Sequence, residues 1–141
     1  MKVALISCGK KKANKACQAK DLYISPRFKK AVELAKKAYD AYFILSALHG
    51  LVPPDVVLEP YNLTLNDFNR DDATNWAWRV TGQINEQVPG GAQLHFLCGK
   101  AYFAGLGRGL EAYSLHYPLK GMKPGFVLQW LNKQLDYEEK N

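Results

Sequence analysis

Ser46, His49, Gly50, Glu59 and Tyr61 fall within sixteen residues, in the stretch LSALHGLVPPDVVLEPYNLTL that spans positions 45 to 65. An imidazole that titrates near neutrality, a carboxylate and a phenol beside a rigid Pro53-Pro54 corner are the parts of a proton-transfer or hydrogen-bonding site. His49 follows an apolar strand and precedes a glycine, so its ring is expected to face a cleft as proton donor, proton acceptor or phosphate ligand. Pro60 stiffens the turn that presents Glu59 and Tyr61. A Glu59 carboxylate buried near Lys10, Lys11 or Lys12 would stay ionised and could hold a base edge or a ribose hydroxyl. Cys8, at a strand end among lysines, is a candidate nucleophile, because nearby positive charge favours thiolate; its plainer reading is a small buried residue.

Those residues need strand ends to hold them. Lys2 to Ser7 is a short apolar, β-branched run followed by a lysine-rich loop, Gly9 to Asp21. Ser25-Pro26 is an N-cap followed by a first-turn proline, and the apolar spacing predicts a helix over 26–38. Ala41 to Ser46 is a second strand. Asn66 or Asp67 is then expected to cap a long helix carrying Phe68, Trp76, Trp78, Val80 and Ile84 and ending before Pro89. Gln93 to Leu97 makes a third strand, Cys98-Gly99-Lys100 turns into a short helix, and a fourth strand lies near Tyr113 to Tyr117. Pro124 opens the last helix. His95 and His116 fall in or beside strands and read as packing residues, and Trp76 and Trp78, two apart on a helix, cannot share a face.

The order βαβαβαβα predicts a single three-layer α-β-α domain over residues 1–141, with a mainly parallel sheet of about four strands. In such sheets ligands bind outside the carboxyl ends of the strands. The segments after the strands are Ser7-Cys8-Gly9-Lys10, Ser46 to Gly50, Cys98-Gly99-Lys100 and Pro118 to Gly121; three of them pair glycine with lysine. Glycine admits close backbone approach and lysine supplies charge, a combination suited to an anion. Neither Gly9-Lys10 nor Gly105, Gly107 and Gly109 forms a P-loop or a dinucleotide fingerprint.

The motifs also carry a likeness. Ser7 to Lys12, the Asp21 to Pro26 segment with Phe28, and the Leu45 to Leu51 and Leu58 to Tyr61 segments with Thr64-Leu65 resemble an uncharacterised bacterial and phage domain family, the DUF6884-like domains. More distantly, residues 45 to 65 are similar to the YaaA-type peroxide-stress proteins (UPF0246), which implies association with DNA; His49 stands where those proteins have tyrosine, and this chain is far shorter. A still fainter likeness, to the archaeosine synthases that modify a deazaguanine base in transfer RNA, departs at Tyr23-Ile24-Ser25, one residue too short. These likenesses imply a nucleotide or nucleic-acid ligand.

Composition bounds the rest. The chain has 141 residues, 48% apolar, with net charge +6; residues 1 to 37 hold eleven Lys/Arg against two acids, and the remainder eight against eleven. The basic N-terminal quarter suits phosphates or nucleic acid. Three cysteines without paired spacing point to neither a disulfide framework nor a zinc site, so no metal or cofactor is expected. Val3 to Ile6 is too short for a signal peptide core, and no run reaches the roughly eighteen apolar residues of a membrane span, so the expected setting is cytoplasmic and free of membrane.

Two classes of function follow. One is an enzyme acting on a nucleobase or nucleotide, with His49, Glu59 and Cys8 as catalytic candidates. Its ligand would be held by Gly9, Lys10, Lys11, Tyr23, Ser25, Ser46, Gly50, Tyr61, Gly99 and Lys100, although Ser25 is most simply an N-cap and Tyr23 could simply pack. The other is a non-catalytic DNA-binding or nucleotide-sequestering protein, for which a phage origin is one source. The sequence favours neither, and it leaves the oligomeric state open.

Overall fold

A computed structural model describes residues 1–140. Its central sheet has five strands in the order β4-β3-β1-β6-β7: β1 (Lys2–Ser7), β3 (Ala41–Ser46), β4 (Gly50–Val52), β6 (Gln93–Leu97) and β7 (Ser114–His116). β1 pairs in parallel with β3 and β6, and β6 with β7, while β4 runs antiparallel to β3. The four expected parallel strands are therefore joined by an antiparallel edge strand that the sequence reading did not include. The chain also folds β2 (Cys17–Gln18) against β5 (Val57–Leu58) as a two-stranded ribbon, with a single helical turn, α1 (Ala19–Leu22), after β2.

β1 occupies the centre because its Val3-Ala4-Leu5-Ile6 run is apolar on both faces and wholly buried. Ala4 and Ile6 face one core with Phe28 and Leu34 of α2 (Pro26–Ala38) and Val127 and Leu131 of α5 (Pro124–Lys140). Val3 and Leu5 face the other, with Trp76, Val80 and Ile84 of α3 (Arg70–Gln87). Each such buried aliphatic side chain is worth about 1.5–3 kcal/mol. The result is the expected three-layer α/β architecture.

α2 has its predicted bounds: Ser25 Oγ accepts from Phe28 N (3.2 Å), Pro26 sits at the first helical position, and Lys36 and Lys37 lie in the last turn. α3 starts later than expected. Asn69 caps it in a reciprocal box with Asp72, while Leu65–Asp67 forms a separate 3-10 turn capped by Thr64 and Asp67, so Phe68 lies outside the helix. After β6 comes α4 (Lys100–Phe103), capped by Gly99. Trp76 is buried and Trp78 is 70% exposed, as their spacing requires.

α2 and α5 cover one face, whereas the chain leaving β6 crosses to the other. The switch point of the sheet therefore lies between the carboxyl ends of β1 and β6.

His95 on β6 stacks on His116 of β7, with ring centroids 4.5 Å apart, and meets Tyr39 edge-on at 5.2 Å. Burial, the His116 ring and Lys2 together push the His95 pKa from 6.5 down to about 4. Folding thus favours the neutral ring: its contribution is complete above pH 6.5 and is lost as pH falls toward about 4. The thermal unfolding midpoint should drop across that window and drop less in His95→Gln. Parallel pH profiles for the two proteins would exclude His95 as the cause.

Candidate functional site

The carboxyl edge of the sheet is organised by Tyr61. Its hydroxyl lies 2.6 Å from Tyr23 Oη and 2.6 Å from Ser46 Oγ. Ser46 is the last residue of β3 and fully buried; its hydroxyl also accepts from His49 N at 3.1 Å, and its carbonyl accepts from Trp76 Nε1 at 2.9 Å. Tyr23, also fully buried, follows α1 and bridges Lys12 across the lysine loop, where Ala13 N donates to Leu22 O and Ile24 N to Lys11 O. The Lys12 ammonium sits 4.3 Å from the Tyr61 ring centroid and 5.7 Å from that of Tyr23. Burial pushes the Tyr23 pKa up to about 12 and raises those of Tyr61 and Tyr102, to which charge at Cys8 adds. At neutral pH all three phenols keep their protons and act through hydrogen bonding.

Cys8 extends the β1–β3 pairing by donating its N–H to Leu45 O (3.0 Å), and its buried Sγ lies 3.4 Å from Tyr102 Oη. Gly9 passes close to the start of α2: a Cβ there would stand 3.0 Å from Ser25 Oγ. Ser25 is the N-cap, as its simplest reading required. The sequence-derived candidates Cys8, Gly9, Tyr23, Ser25, Ser46, His49 and Tyr61 therefore belong to one neighbourhood.

His49 is half-buried, with its ring 5.5 Å from Tyr61 at 89°. Its main chain and that of its neighbours are fixed by α3, since Gln83 Nε2 donates to His49 O (3.3 Å), Leu51 N donates to Gln83 Oε1 (2.8 Å), and Arg79 donates to Leu48 O (2.8 Å). Gly50 completes this turn at φ +73°, packed so closely beneath Gln83 that a Cβ would overlap its carbonyl oxygen. Backbone geometry thus accounts for Gly50. Burial first, then the Arg79 charge, lower the His49 pKa, so the ring is neutral at pH 7. Among the described residues neither ring nitrogen of His49 has a hydrogen-bond partner.

Beside this cluster, at the switch point, a cavity of about 80 Å³ opens between α2 and α5 over the ends of β1 and β6. Ser7, Arg27, Phe28, Cys98 and Gly99 are among its lining residues. Cys98 is buried and its thiol is pushed well up by burial, so it stays protonated. Lys10, Lys11 and Lys100 are exposed; with Arg27 they make no ion pair among the described residues.

Glu59 departs from expectation. It is exposed, with no hydrogen bond or ion pair among the described residues, so it is not the buried carboxylate against the lysine loop. The basic quarter is also less uniform than its count suggests: Lys20 pairs with Asp55 (3.4 Å), and Lys30 and Lys37 share Glu33. Tyr102, Arg27 and Gln83 were not among the sequence candidates. Arg27 was findable, as a first-turn cation of a correctly bounded helix, and Tyr102 stands two positions beyond Lys100 in a segment already assigned to the edge. Gln83 gives no local signal.

The fold is that of a three-layer α/β protein with a crevice at the carboxyl edge of a mainly parallel sheet. The chain belongs to DUF6884, a family of unknown function, whose pattern matches residues 3–133. It is also similar to the uncharacterized protein YfjM of Bacillus subtilis (strain 168), at 31% identity over 145 residues that cover 96% of this chain and 95% of that one.

Tyr61→Phe removes the hydroxyl that joins Tyr23 to Ser46 within the buried cluster. Urea unfolding should show a loss of about 1–3 kcal/mol with an unchanged m-value. A loss below about 0.5 kcal/mol, the range of an ordinary surface change, would mean that the cluster does not hold the edge together.

Proposed function

We propose that the protein is an enzyme acting on a nucleobase or nucleotide, by base modification or glycosidic-bond chemistry, at the carboxyl edge of its sheet. One observation carries this reading: His49 is neutral, backbone-fixed and half-buried, and among the described residues neither of its ring nitrogens has a hydrogen-bond partner. A neutral imidazole offers one donor and one acceptor, which suits it to a base edge or to moving a proton.

Lys10, Lys11, Lys100 and Arg27, which make no ion pair among the described residues, take the phosphate with the backbone of Gly9 and Gly99 beside the N-termini of α2 and α5. Tyr61 supports the base while its hydroxyl stays with Ser46 and Tyr23. Glu59, exposed on the segment that carries Tyr61, orients substrate and is not the proton-transfer group. The chemistry invokes no metal or cofactor. Free Cys8, Cys17 and Cys98 suit a reducing cytoplasm, and among the described residues no helix is long and apolar enough to cross a membrane.

A second reading, a non-catalytic DNA-binding or nucleotide-sequestering protein, draws on the engagement of Cys8 with Tyr102, which leaves that thiol covered. The motif likeness to YaaA-type proteins leans the same way.

A panel of nucleotides and oligonucleotides, with mass spectrometry of ligand and protein, separates the two. Turnover should fall about 10²–10⁴-fold in His49→Ala with the far-ultraviolet circular dichroism unchanged. Because the His49 pKa is lowered from 6.5, a step that needs the neutral ring should persist below pH 6.5 and fail only as pH passes the lowered value. Unmodified ligand in every arm would eliminate the enzyme. Affinity loss without rate loss in His49→Ala would favour the binder.

A further inference from the structure

A second concavity, of about 440 Å³, runs along the opposite face of the fold between α3 and the α4 segment. Its α3 wall is a stripe of Arg70, Ala73, Ala77 and neighbouring threonines at helical spacing, and its far wall includes Gly105 and Arg108. Side chains here are small by construction: a Cβ on Gly105 would come within 2.9 Å of Ala77 Cβ. Trp78 stands on the rim, 70% exposed, with no ring contact or hydrogen bond among the described residues.

Neither the Arg70 nor the Arg108 guanidinium has a carboxylate partner among the described residues, and no carboxylate lines the groove. Nearby Asp72 is turned away, accepting from Asn69 N and lining a different depression with Arg79. The groove therefore presents two uncompensated, planar, bidentate cations and one bare indole face.

We infer that this groove binds a single-stranded nucleic acid, with a base stacked on Trp78 and phosphates on Arg70 and Arg108. Charge complementarity selects an anion, and the exposed ring selects one that also carries flat apolar faces. An unstacked strand supplies both at regular intervals, whereas duplex bases are not free to stack on a side chain. The groove also touches the edge site: Tyr102 lines it, and the Tyr102 hydroxyl reaches Cys8 at 3.4 Å. A strand laid along α3 approaches the carboxyl edge through Tyr102. The choice of nucleic acid over other aromatic anions rests on the proposed function above, and it makes the substrate a nucleotide within a strand.

The test is fluorescence anisotropy of a labelled single strand of about twelve nucleotides, as DNA and as RNA, on the full chain at about 50 and 200 mM salt. Trp78→Ala should weaken binding about tenfold or more, the usual cost of losing one stacked base. Arg70→Gln with Arg108→Gln should flatten the slope of log K against log salt by about 1.5 to 2. All three side chains are exposed, so circular dichroism and unfolding midpoints should match those of the unaltered protein. No binding, or affinity and salt slope indifferent to these changes, would overturn the inference. So would preference for a duplex of the same sequence, or self-association abolished by Trp78→Ala, which would assign the groove to a second copy of the chain. Affinity is measured here without turnover, so failure of the groove is distinguishable from failure of the edge site, which is scored by mass spectrometry of the ligand.

Discussion

β1 is hydrogen-bonded in parallel on both sides, Val3 opposite Ala41 and Leu94, with its core residues wholly excluded from water. A buried strand must have its backbone polar groups paired, so β3 and β6 cannot slip or leave without orphaning them. A shift by one residue would also exchange Ala4 and Ile6 for Val3 and Leu5 between two cores of different shape. This register decides where the candidate site lies. Parallel neighbours require helical crossovers, and every crossover brings a strand's carboxyl end and a helix N-terminus to the same edge. Cys8, Ser46 and Cys98 meet there because three parallel strands stop at one level.

Beyond that edge main-chain pairing continues only in short pieces, the β2–β5 ribbon and the Lys12–Tyr23 contacts, and the Tyr61 hydroxyl ties the Tyr23 piece to the sheet. It joins residue 46, at the end of β3, to residue 23, across the lysine loop from β1, through two 2.6 Å contacts. A hydrogen bond in such a dry setting is stronger than in water, and leaving one unmade is correspondingly expensive. The arrangement divides labour. Hydroxyls are satisfied inside the protein, while among the described residues the His49 ring nitrogens and the Arg27, Lys10 and Lys11 side chains have no hydrogen bond or ion pair. Lys12, by contrast, is laid over the Tyr61 ring, and Lys20 pairs with Asp55.

The sequence disclosed what depends on neighbours along the chain. Ser25-Pro26 fixed the start of α2 because an N-cap and a first-turn proline act within four residues. The same kind of signal misled for α3, since Thr64 to Asp67 is itself a good capping box; it caps a 3-10 turn, and a second box at Asn69 and Asp72 starts the helix. β2, β5 and β4 escaped because strands of two or three residues carry no periodicity, and each exists only through its partner. Within the site, Ser46, His49 and Tyr61 were legible together, being close in sequence and polar after an apolar strand. Tyr102 was not, because its contact with Cys8 spans 94 residues and depends on β6 lying beside β1.

Charge shows most clearly that position outweighs composition. Asp40, Asp67, Asp72 and Glu111 accept hydrogen bonds from main-chain N–H groups, and Glu33, Asp55 and, from α5, Glu139 hold lysines of α1 and α2. Those carboxylates are committed to caps, turns and helix–helix pairing, so they cannot neutralise the strand-end loops. Among the described residues, the cations without an ion pair include Lys10, Lys11, Lys100 and Arg27 at the carboxyl edge and Arg70 and Arg108 along α3 and the α4 segment, besides others such as Lys29, Lys36 and Lys133 on helix exteriors. Part of the positive charge thus lies beside concave surface, where Arg27 lines the switch-point cavity and Arg70 and Arg108 line the groove. Positive charge unmatched in a concavity, with helix N-termini behind it, is a field directed at an anion; a solvated lysine face on a helix exterior is not.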